Sequence, residues 1–263
     1  SIMVVFGLWG AGWGYWQRGE YNAAVDTLQT ALRAAEPFAE FMPFLITMAK
    51  APLGSVMIDA GMDRAHALAL HKDALELTSN PIAGMVNGAA WADIGWCAVN
   101  LGDIALAEKL FAGALDYPSF FRLVMKPRSL LGLAHIAQIH GEFETAQTYI
   151  EQARALVNEA AMLPYQPLVS LADGKLHAAR GEHARALELF ADAEARALTM
   201  NLRPTILQAR VDAATSLDAL SRAPEANEKR AQAHALRDEI ANLFSDRAAR
   251  DAYLQKDGDS PRD

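Results

Sequence analysis

The side chains that could do chemistry are scattered along this sequence and form no known metal-binding pattern. His135 and His140 are five residues apart, whereas two histidines that bind one metal ion from the same helix face are three or four apart. The chain has no His-Glu-x-x-His sequence and only one cysteine, Cys97. We therefore expect no metal site and no cofactor. The remaining histidines, among them His71, are expected on the surface or in turns.

Sequence motifs of known enzymes are missing as well. Ser, His and Asp all occur, but no Gly-x-Ser-x-Gly elbow accompanies them. The Gly-x-x-x-x-Gly-Lys-Ser/Thr loop that holds nucleotide phosphates is also absent. Acidic residues such as Glu142 and Glu182 fall at predicted helix starts, where the helix dipole explains them. We therefore expect a protein without catalytic activity.

A group of tryptophans near the start of the chain is the clearest candidate for binding. Trp9, Trp13 and Trp16 are spaced by four and three residues, so one face of a helix carries all three. Aromatic side chains dominate many interfaces, and this face could hold an apolar or helical ligand. The alternative is that the three rings cover a neighbouring repeat or a second copy of the chain.

The composition indicates a globular helical protein. Apolar residues make up 52% and charged residues 21% of the chain, and alanine and leucine, which favour helices, dominate. The formal net charge is −8 and no basic stripe is visible, so nucleic acid is not an expected partner. The apolar segment 2–16 is shorter than the ~20 residues that span a bilayer, so no membrane segment is expected. A single cysteine fits the reducing cytoplasm, where we expect the protein to be.

The chain repeats itself at intervals of 42, 41, 39 and 40 residues. These are the separations of five glycines: Gly19, Gly61, Gly102, Gly141 and Gly181. Four of them begin the same phrase, which is glycine, an acidic residue, a bulky residue, two variable positions and alanine. The second copy has His66 where the alanine is expected, and a sixth copy has Ser221 in place of glycine. Glycine after a helix adopts the left-handed conformation that ends it, so each phrase predicts a turn between two helices.

Small residues upstream of these turns predict close packing within each pair of helices. They lie twelve residues before the alanine position of each copy, at Gly12, Gly54, Gly95, Ala134, Gly174 and Ala214. A large apolar side chain follows the alanine by four residues, as at Leu28, Phe111, Ile150 and Phe190. That spacing is typical of one helix face. Each unit is thus a helical hairpin that must stack on its neighbours.

This pattern resembles the tetratricopeptide repeat, with a longer period than that family usually has. The resemblance implies an all-α fold: a right-handed superhelix of about six helix-turn-helix repeats plus a C-terminal helix. The predicted repeats cover approximately 2–36, 42–79, 83–117, 123–160, 164–200 and 204–244. They form one predicted domain over 1–254, and a disordered tail is predicted over 255–263.

Longer repeats of this kind resemble those of bacterial signalling ATPases, adenylate or guanylate cyclases and related transcription regulators. Both ends of the chain are similar to the ends of such repeat regions, around Gly7-Leu-Trp9 and over 235–254. Because the sequence begins with Ser1 rather than Met, we expect it to be part of a longer protein.

The resemblance also implies where ligands bind, since the first helix of each pair lines the concave wall in this family. The residues that map to this wall and could bind a peptide or other ligand are Trp9, Trp13, Trp16, Trp96, Asn100, Arg128, His135, Gln138 and Lys175. We expect a regulatory scaffold that binds a peptide, a helix or another domain of its parent chain. The alternatives are a small-molecule sensor and a homodimer formed through the tryptophan-rich first helix.

Overall fold

The computed structural model describes residues 1–79, 87–116 and 122–256, and every secondary-structure element in these ranges is helical. Short 3-10 turns cover Glu36–Phe38 and Leu163–Tyr165. The α-helices are α1 Ile2–Gln17, α2 Tyr21–Ala35, α3 Pro43–Asp59, α4 Arg64–Thr78, α5 Asn87–Asn100, α6 Ile104–Asp116, α7 Arg122–Ile139, α8 Phe143–Glu159, α9 Gln166–Ala179, α10 His183–Thr199, α11 Arg203–Ala219, α12 Ala223–Ala241 and α13 Arg247–Gln255.

The helices follow one another as hairpins. We call the odd-numbered members from α1 to α11 first helices and their even-numbered partners second helices. Within the described residues these make six hairpins, followed by α13. First and second helices pack together in α1–α2, α3–α4, α5–α6 and α9–α10, and within each unit there are contacts between successive hairpins, such as α2–α3 and α10–α11. The predicted all-α, tetratricopeptide-like fold is confirmed.

The repeated glycines are at the tips of these hairpins. All five adopt positive φ angles: Gly19 72°, Gly61 68°, Gly102 79°, Gly141 74° and Gly181 80°. In the fourth hairpin the amide of Glu142 donates to the carbonyl of Ala137 at 2.8 Å, which satisfies the end of α7. The sixth hairpin makes the same bend at Ser221, with φ 59°.

The small residues of the first helices allow the second helices to approach closely. A Cβ added to Gly174 would lie 2.5 Å from the ring of Phe190, and one added to Gly95 would lie 2.7 Å from Phe111. Both phenylalanines are almost fully buried. The absence of a Cβ therefore lets a large ring pack directly on the backbone of the first helix.

The second hairpin corrects two sequence interpretations. Its turn is one residue longer, so the buried alanine is Ala67, and His66 is exposed. The longer turn is closed by Asp63, whose carboxylate accepts a hydrogen bond from the backbone N–H of His66 at 3.0 Å. His71, which was expected on the surface, is only 4% exposed, because it takes the place of the large apolar residue four positions after the alanine.

The chain divides into two compact units. The first comprises residues 1–126 together with the described segment from Ile240 to Lys256, and the second comprises 127–239. One core of the first unit groups Val5 with Phe44 and Leu45, and that of the second unit groups Leu171 with Phe190. A single domain over 1–254 stays a prediction. No helix among the described residues is long and apolar enough to cross a membrane.

The described segment from Ile240 to Lys256 belongs to the first unit and packs on its first two hairpins. The rings of Tyr21, Phe244 and Tyr253 form a cluster with centroid separations of 5.4 to 6.0 Å. Asn22 Nδ2 donates to Ser245 Oγ at 2.8 Å. Of the predicted tail, residues 257–263 lie outside the described residues.

Candidate functional site

In each unit the first helices lie side by side. Their side chains that do not face a second helix therefore share a surface, one in each unit. The helix α3 contacts both α1 and α5 in the first unit, and α9 contacts α11 in the second. We call these two surfaces the first-unit wall and the second-unit wall. Each sequence-predicted site residue lies on a first helix, and the structure shows how far its side chain is accessible.

The three tryptophans of α1 differ in how much surface they leave to a ligand. Trp16 is only 6% exposed, and its indole Nε1 donates to Asp59 Oδ2 on α3 at 2.8 Å. Trp9 packs against the core around Val5 and remains half-buried. Trp13 is also half-buried. Trp16 therefore joins α1 to α3, while Trp9 and Trp13 keep part of their rings on the surface of the first unit.

Asp59 links three parts of the first unit. Besides accepting from Trp16, it lies beside Lys256, whose Nζ donates to the Asp59 backbone carbonyl at 3.1 Å. Burial raises the pKa of the Cys97 thiol on α5 to about 11, and the negative charge of Asp59 adds to the increase. Cys97 thus stays protonated at neutral pH and serves as a small apolar side chain rather than a nucleophile.

Trp96 and Asn100 are the predicted site residues of α5, and they lie on the first-unit wall. The ring of Trp96 packs edge-on against Phe111, with centroids 5.7 Å apart and planes at 65°. It remains half-buried, so one part of the ring packs on the core and another reaches the surface. Asn100 is exposed at the end of the same helix.

The second-unit wall is polar. Lys175 Nζ on α9 lies 3.6 Å from Asp212 Oδ2 on α11, and Gln208 Nε2 donates to Asp212 Oδ1 at 3.0 Å. Burial raises the pKa of Asp212, and the positive charge of Lys175 partly offsets that increase. Burial also lowers the pKa of His135 on α7, and the charge of Lys175 lowers it further. Lys175 therefore acts electrostatically on both neighbouring first helices.

The sequence pattern did not point to Asp212, and it predicted that Arg128 would be accessible on the wall. The side chain of Arg128 is only 8% exposed, so little of its guanidinium group can reach a ligand. Gln138 remains half-buried near the end of α7, as an accessible neighbour of His135. A signal for Asp212 existed, since it lies two residues before the small residue Ala214, but its pairing with Lys175 depends on how two hairpins stack.

The described part of the chain contains no group of three or more His, Cys, Asp or Glu side chains placed to hold a metal ion. The first-unit wall presents half-buried indole rings, and the second-unit wall presents a partly buried ion pair. Such surfaces recognise ligands by packing and hydrogen bonding.

Comparison with known proteins identifies the fold. No model of a known protein family matches the sequence, and no curated protein matches it. The apo form of RapI aligns with a TM-score of 0.67 and 13% identity, over 92% of this chain and 86% of RapI. A Rap protein complexed with competence and sporulation factor aligns with a TM-score of 0.68 and 17% identity, over 92% of this chain and 66% of that protein. BtubC from P. vanneervenii aligns with a TM-score of 0.56 and 14% identity, over 86% of this chain and 94% of BtubC.

These identities are low, so the similarity shows a shared helical-repeat architecture.

Proposed function

We propose that the protein is a non-catalytic scaffold that binds a peptide, a helix or a partner domain on its first-helix walls. The observation that carries this proposal is that the first helices present accessible side chains within each unit, the half-buried indole of Trp13 on the first-unit wall and Lys175 beside Asp212 on the second-unit wall. The shared architecture with a Rap protein that is complexed with competence and sporulation factor supports it. Tryptophan side chains are among the groups that most often dominate binding at protein interfaces.

The proposed setting is the bacterial cytoplasm, within a larger signalling protein whose other domains the scaffold restrains or recruits. The resemblance of the sequence to the repeat regions of signalling ATPases and cyclases supports this setting. The outer face of α1 adds a candidate contact for a second copy, because α1 contains no charged residue and exposes Met3 and Val4.

A peptide-display selection tests the scaffold function. Random twelve-residue peptides would be selected on the immobilised chain, and the recovered peptides would be titrated against Trp13→Ala and Lys175→Ala. We expect at least one of these wall substitutions to raise the Kd about tenfold. Phe41→Ala and Lys72→Ala are the matched controls, since both residues are exposed and neither lies on a first helix. Recovery of no binder, or equal affinity for wall and control variants, would contradict the proposal.

Metabolite sensing is the competing function. The half-buried polar groups around Lys175 could also contact a small polar ligand, which would stabilise the folded chain by mass action. A thermal-shift screen with free metabolites separates the two functions. If a metabolite raises Tm and the peptide selection recovers no binder, the results would favour a sensor function over a scaffold function.

A further inference from the structure

The two most exposed large apolar side chains in the described part of the chain lie at one end of the first hairpin. Met3 in the first turn of α1 is 75% exposed, and Phe41 is 72% exposed. Phe41 belongs to the segment between α2 and α3, in which Phe38 and Met42 pack on the same core as Val5 of α1. Because α2 returns antiparallel to α1, this segment lies beside the start of α1.

Further exposed residues extend this apolar surface along α1. Val4 is 50% exposed, and Gly7, Gly10 and Ala11 follow on the same side of the helix at spacings of three and four residues. A Cβ added to Gly7 or to Gly10 would have no neighbouring atom within 4 Å, so a partner can approach this side closely. We call the following residues the α1 face: Met3, Val4, Gly7, Gly10, Ala11 and Phe41.

The composition of the α1 face is unusual for an exposed side of a helical repeat. The helix α1 packs mainly on α2 and α3, and its opposite side is exposed. An outer face of a repeat array that stays in water is normally polar, because the array needs such a cap to remain soluble. No residue of α1 is charged. An exposed apolar patch of this kind indicates a binding surface.

The charges beside the α1 face indicate which partner fits it. Glu36 and Glu40 flank Phe41 in the same segment, and both are exposed. Neither forms an ion pair with another described residue. A second copy of the chain would bring the same two acids, an uncharged α1 and a formal net charge of −8. A partner with basic residues next to an apolar surface complements these charges, whereas a second copy or an anionic lipid surface does not.

The shape of the α1 face favours a helix as that partner. The helix α1 has 16 residues and is about 24 Å long. A partner helix of similar length can lie along it and contact it with apolar residues three and four positions apart. Basic residues are most favourable in the last turn of a helix, because of the helix dipole. If the partner helix runs antiparallel to α1, its last turn lies at the start of α1, beside Glu36 and Glu40.

We propose that the α1 face binds an amphipathic helix of a partner protein, antiparallel to α1, with basic residues in its last turn. The apolar side of that helix packs on Met3, Val4 and Phe41, and its basic residues reach Glu36 and Glu40. The inference goes beyond the proposed scaffold function, because none of the predicted wall residues belongs to the α1 face.

Calorimetric titration of the full chain tests the charge requirement with two blocked helical peptides. The first is Leu-Gln-Gln-Leu-Leu-Ala-Gln-Leu-Ala-Gln-Leu-Leu-Lys-Lys, and the second ends in Gln-Gln instead of Lys-Lys. We expect the lysine peptide to bind with a Kd below about 100 μM and the glutamine peptide at least about fivefold more weakly. Glu36→Gln combined with Glu40→Gln should remove this difference. Glu142→Gln combined with Glu159→Gln is the matched control, since both residues are exposed acids of the second unit, and it should preserve the difference.

A second pair of variants tests the apolar contact. Met3→Ser combined with Phe41→Ser should raise the Kd of the lysine peptide at least about tenfold. Leu163→Ser combined with Leu198→Ser is the control, because these side chains are 57% and 54% exposed in the second unit, and it should leave the Kd unchanged.

The wall substitutions separate this inference from the scaffold function. Trp13→Ala and Lys175→Ala should leave the Kd of the lysine peptide unchanged, whatever they do to peptides selected on the walls. No binding at about millimolar peptide, equal Kd values for the two peptides, or equal effects of the α1-face and control variants would each overturn the inference.

Two further measurements test the other occupants of the α1 face. Light scattering at about 100 μM chain should give the mass of a monomer. A dimer that Met3→Ser with Phe41→Ser dissociates would assign the face to a second copy and overturn the inference. The chain should also stay in solution when phosphatidylcholine vesicles are sedimented. Sedimentation with the vesicles that the same variant abolishes would assign the face to a lipid surface instead.

Discussion

His71 occupies the core position that a large apolar side chain takes in other hairpins. Its Nε2 lies 3.1 Å from both the Ala51 carbonyl oxygen and Ser55 Oγ, and the ring packs where Gly54 leaves room. Burial disfavours the imidazolium form and lowers the pKa of His71 to about 4. The second hairpin therefore carries a titratable group where Phe111 and Phe190 fill the third and fifth.

We predict that this residue makes the fold sensitive to acid. Because the folded-state pKa is below the unfolded value of about 6.5, the stability from neutral His71 is fully present above pH 6.5 and falls towards pH 4. The loss between pH 7.5 and pH 4 should be about 3 kcal/mol. Urea unfolding at both pH values would measure it, with His71→Phe as the comparison.

The phenylalanine variant should keep most of the stability at pH 7.5, because rings already pack on the equivalent glycines at Gly95 and Gly174. At pH 4 it should be more stable than the natural chain. Parallel loss of stability in both proteins would show that other groups cause the acid sensitivity.

At the scale of the helix, the glycines inside first helices differ in whether close packing requires them. Gly174 lies against Phe190, whereas Gly10 has no neighbouring atom within 4 Å of where a Cβ would be. Both residues are inside helices. Glycine costs a helix stability through backbone entropy, so it persists in α9 because packing requires it.

Alanine substitution should therefore have opposite effects at these two glycines. Gly174→Ala should destabilise the chain by about 1–3 kcal/mol, because the Phe190 ring must move. Gly10→Ala should stabilise it by about 0.5–1 kcal/mol. Thermal or urea unfolding of both variants would measure the difference. A stabilising effect at Gly174 would contradict the close helix approach.

The turn of the sixth hairpin is predicted to be strained, because Ser221 adopts φ 59° where other hairpins have glycine. Ser221→Gly should stabilise the chain by about 1 kcal/mol, since glycine adopts this conformation without a Cβ clash. Ser79→Gly is the control, because Ser79 is also exposed after a helix but has φ −72°. If both substitutions shift the unfolding midpoint equally, positive φ is not the cause.

At the scale of the whole molecule, residues distant in sequence complete the first unit. Tyr253 of α13 is 6% exposed and contacts the rings of Tyr21 and Phe244. The carbonyl of Ala252 lies close to Gly61, where an added Cβ would be 2.9 Å from it. The helix α13 is therefore part of the packing of the first two hairpins.

We predict that Tyr253→Ala destabilises the first unit selectively, by about 3 kcal/mol, because it removes a buried aromatic ring. Hydrogen exchange should show lost protection in α2 and α3 and unchanged protection in α9 and α10. Arg247→Ala, at an exposed residue of the same helix, should have little effect on either unit. Equal loss of protection across both units would contradict the assignment of α13 to the first.

The sequence alone determined the helical class, the hairpin turns and the core face of most hairpins. These features depend on local chemistry: glycine after a helix predicts a left-handed turn, and small and large residues at helical spacing predict a packed face. The second hairpin departs from the expected pattern because one additional residue in its turn makes Ala67 the buried alanine and His71 the large side chain four residues after it. A single-residue shift of this kind has no strong local signal.

Only the tertiary structure decided which side chains meet. Contacts between different helices show this: Trp16 donates a hydrogen bond to Asp59, Lys175 pairs with Asp212, and the ring of Tyr253 packs on Tyr21. Their geometry depends on the stacking angle and separation of helices, which the summed packing of many side chains sets. No single sequence motif therefore predicts how the helices stack.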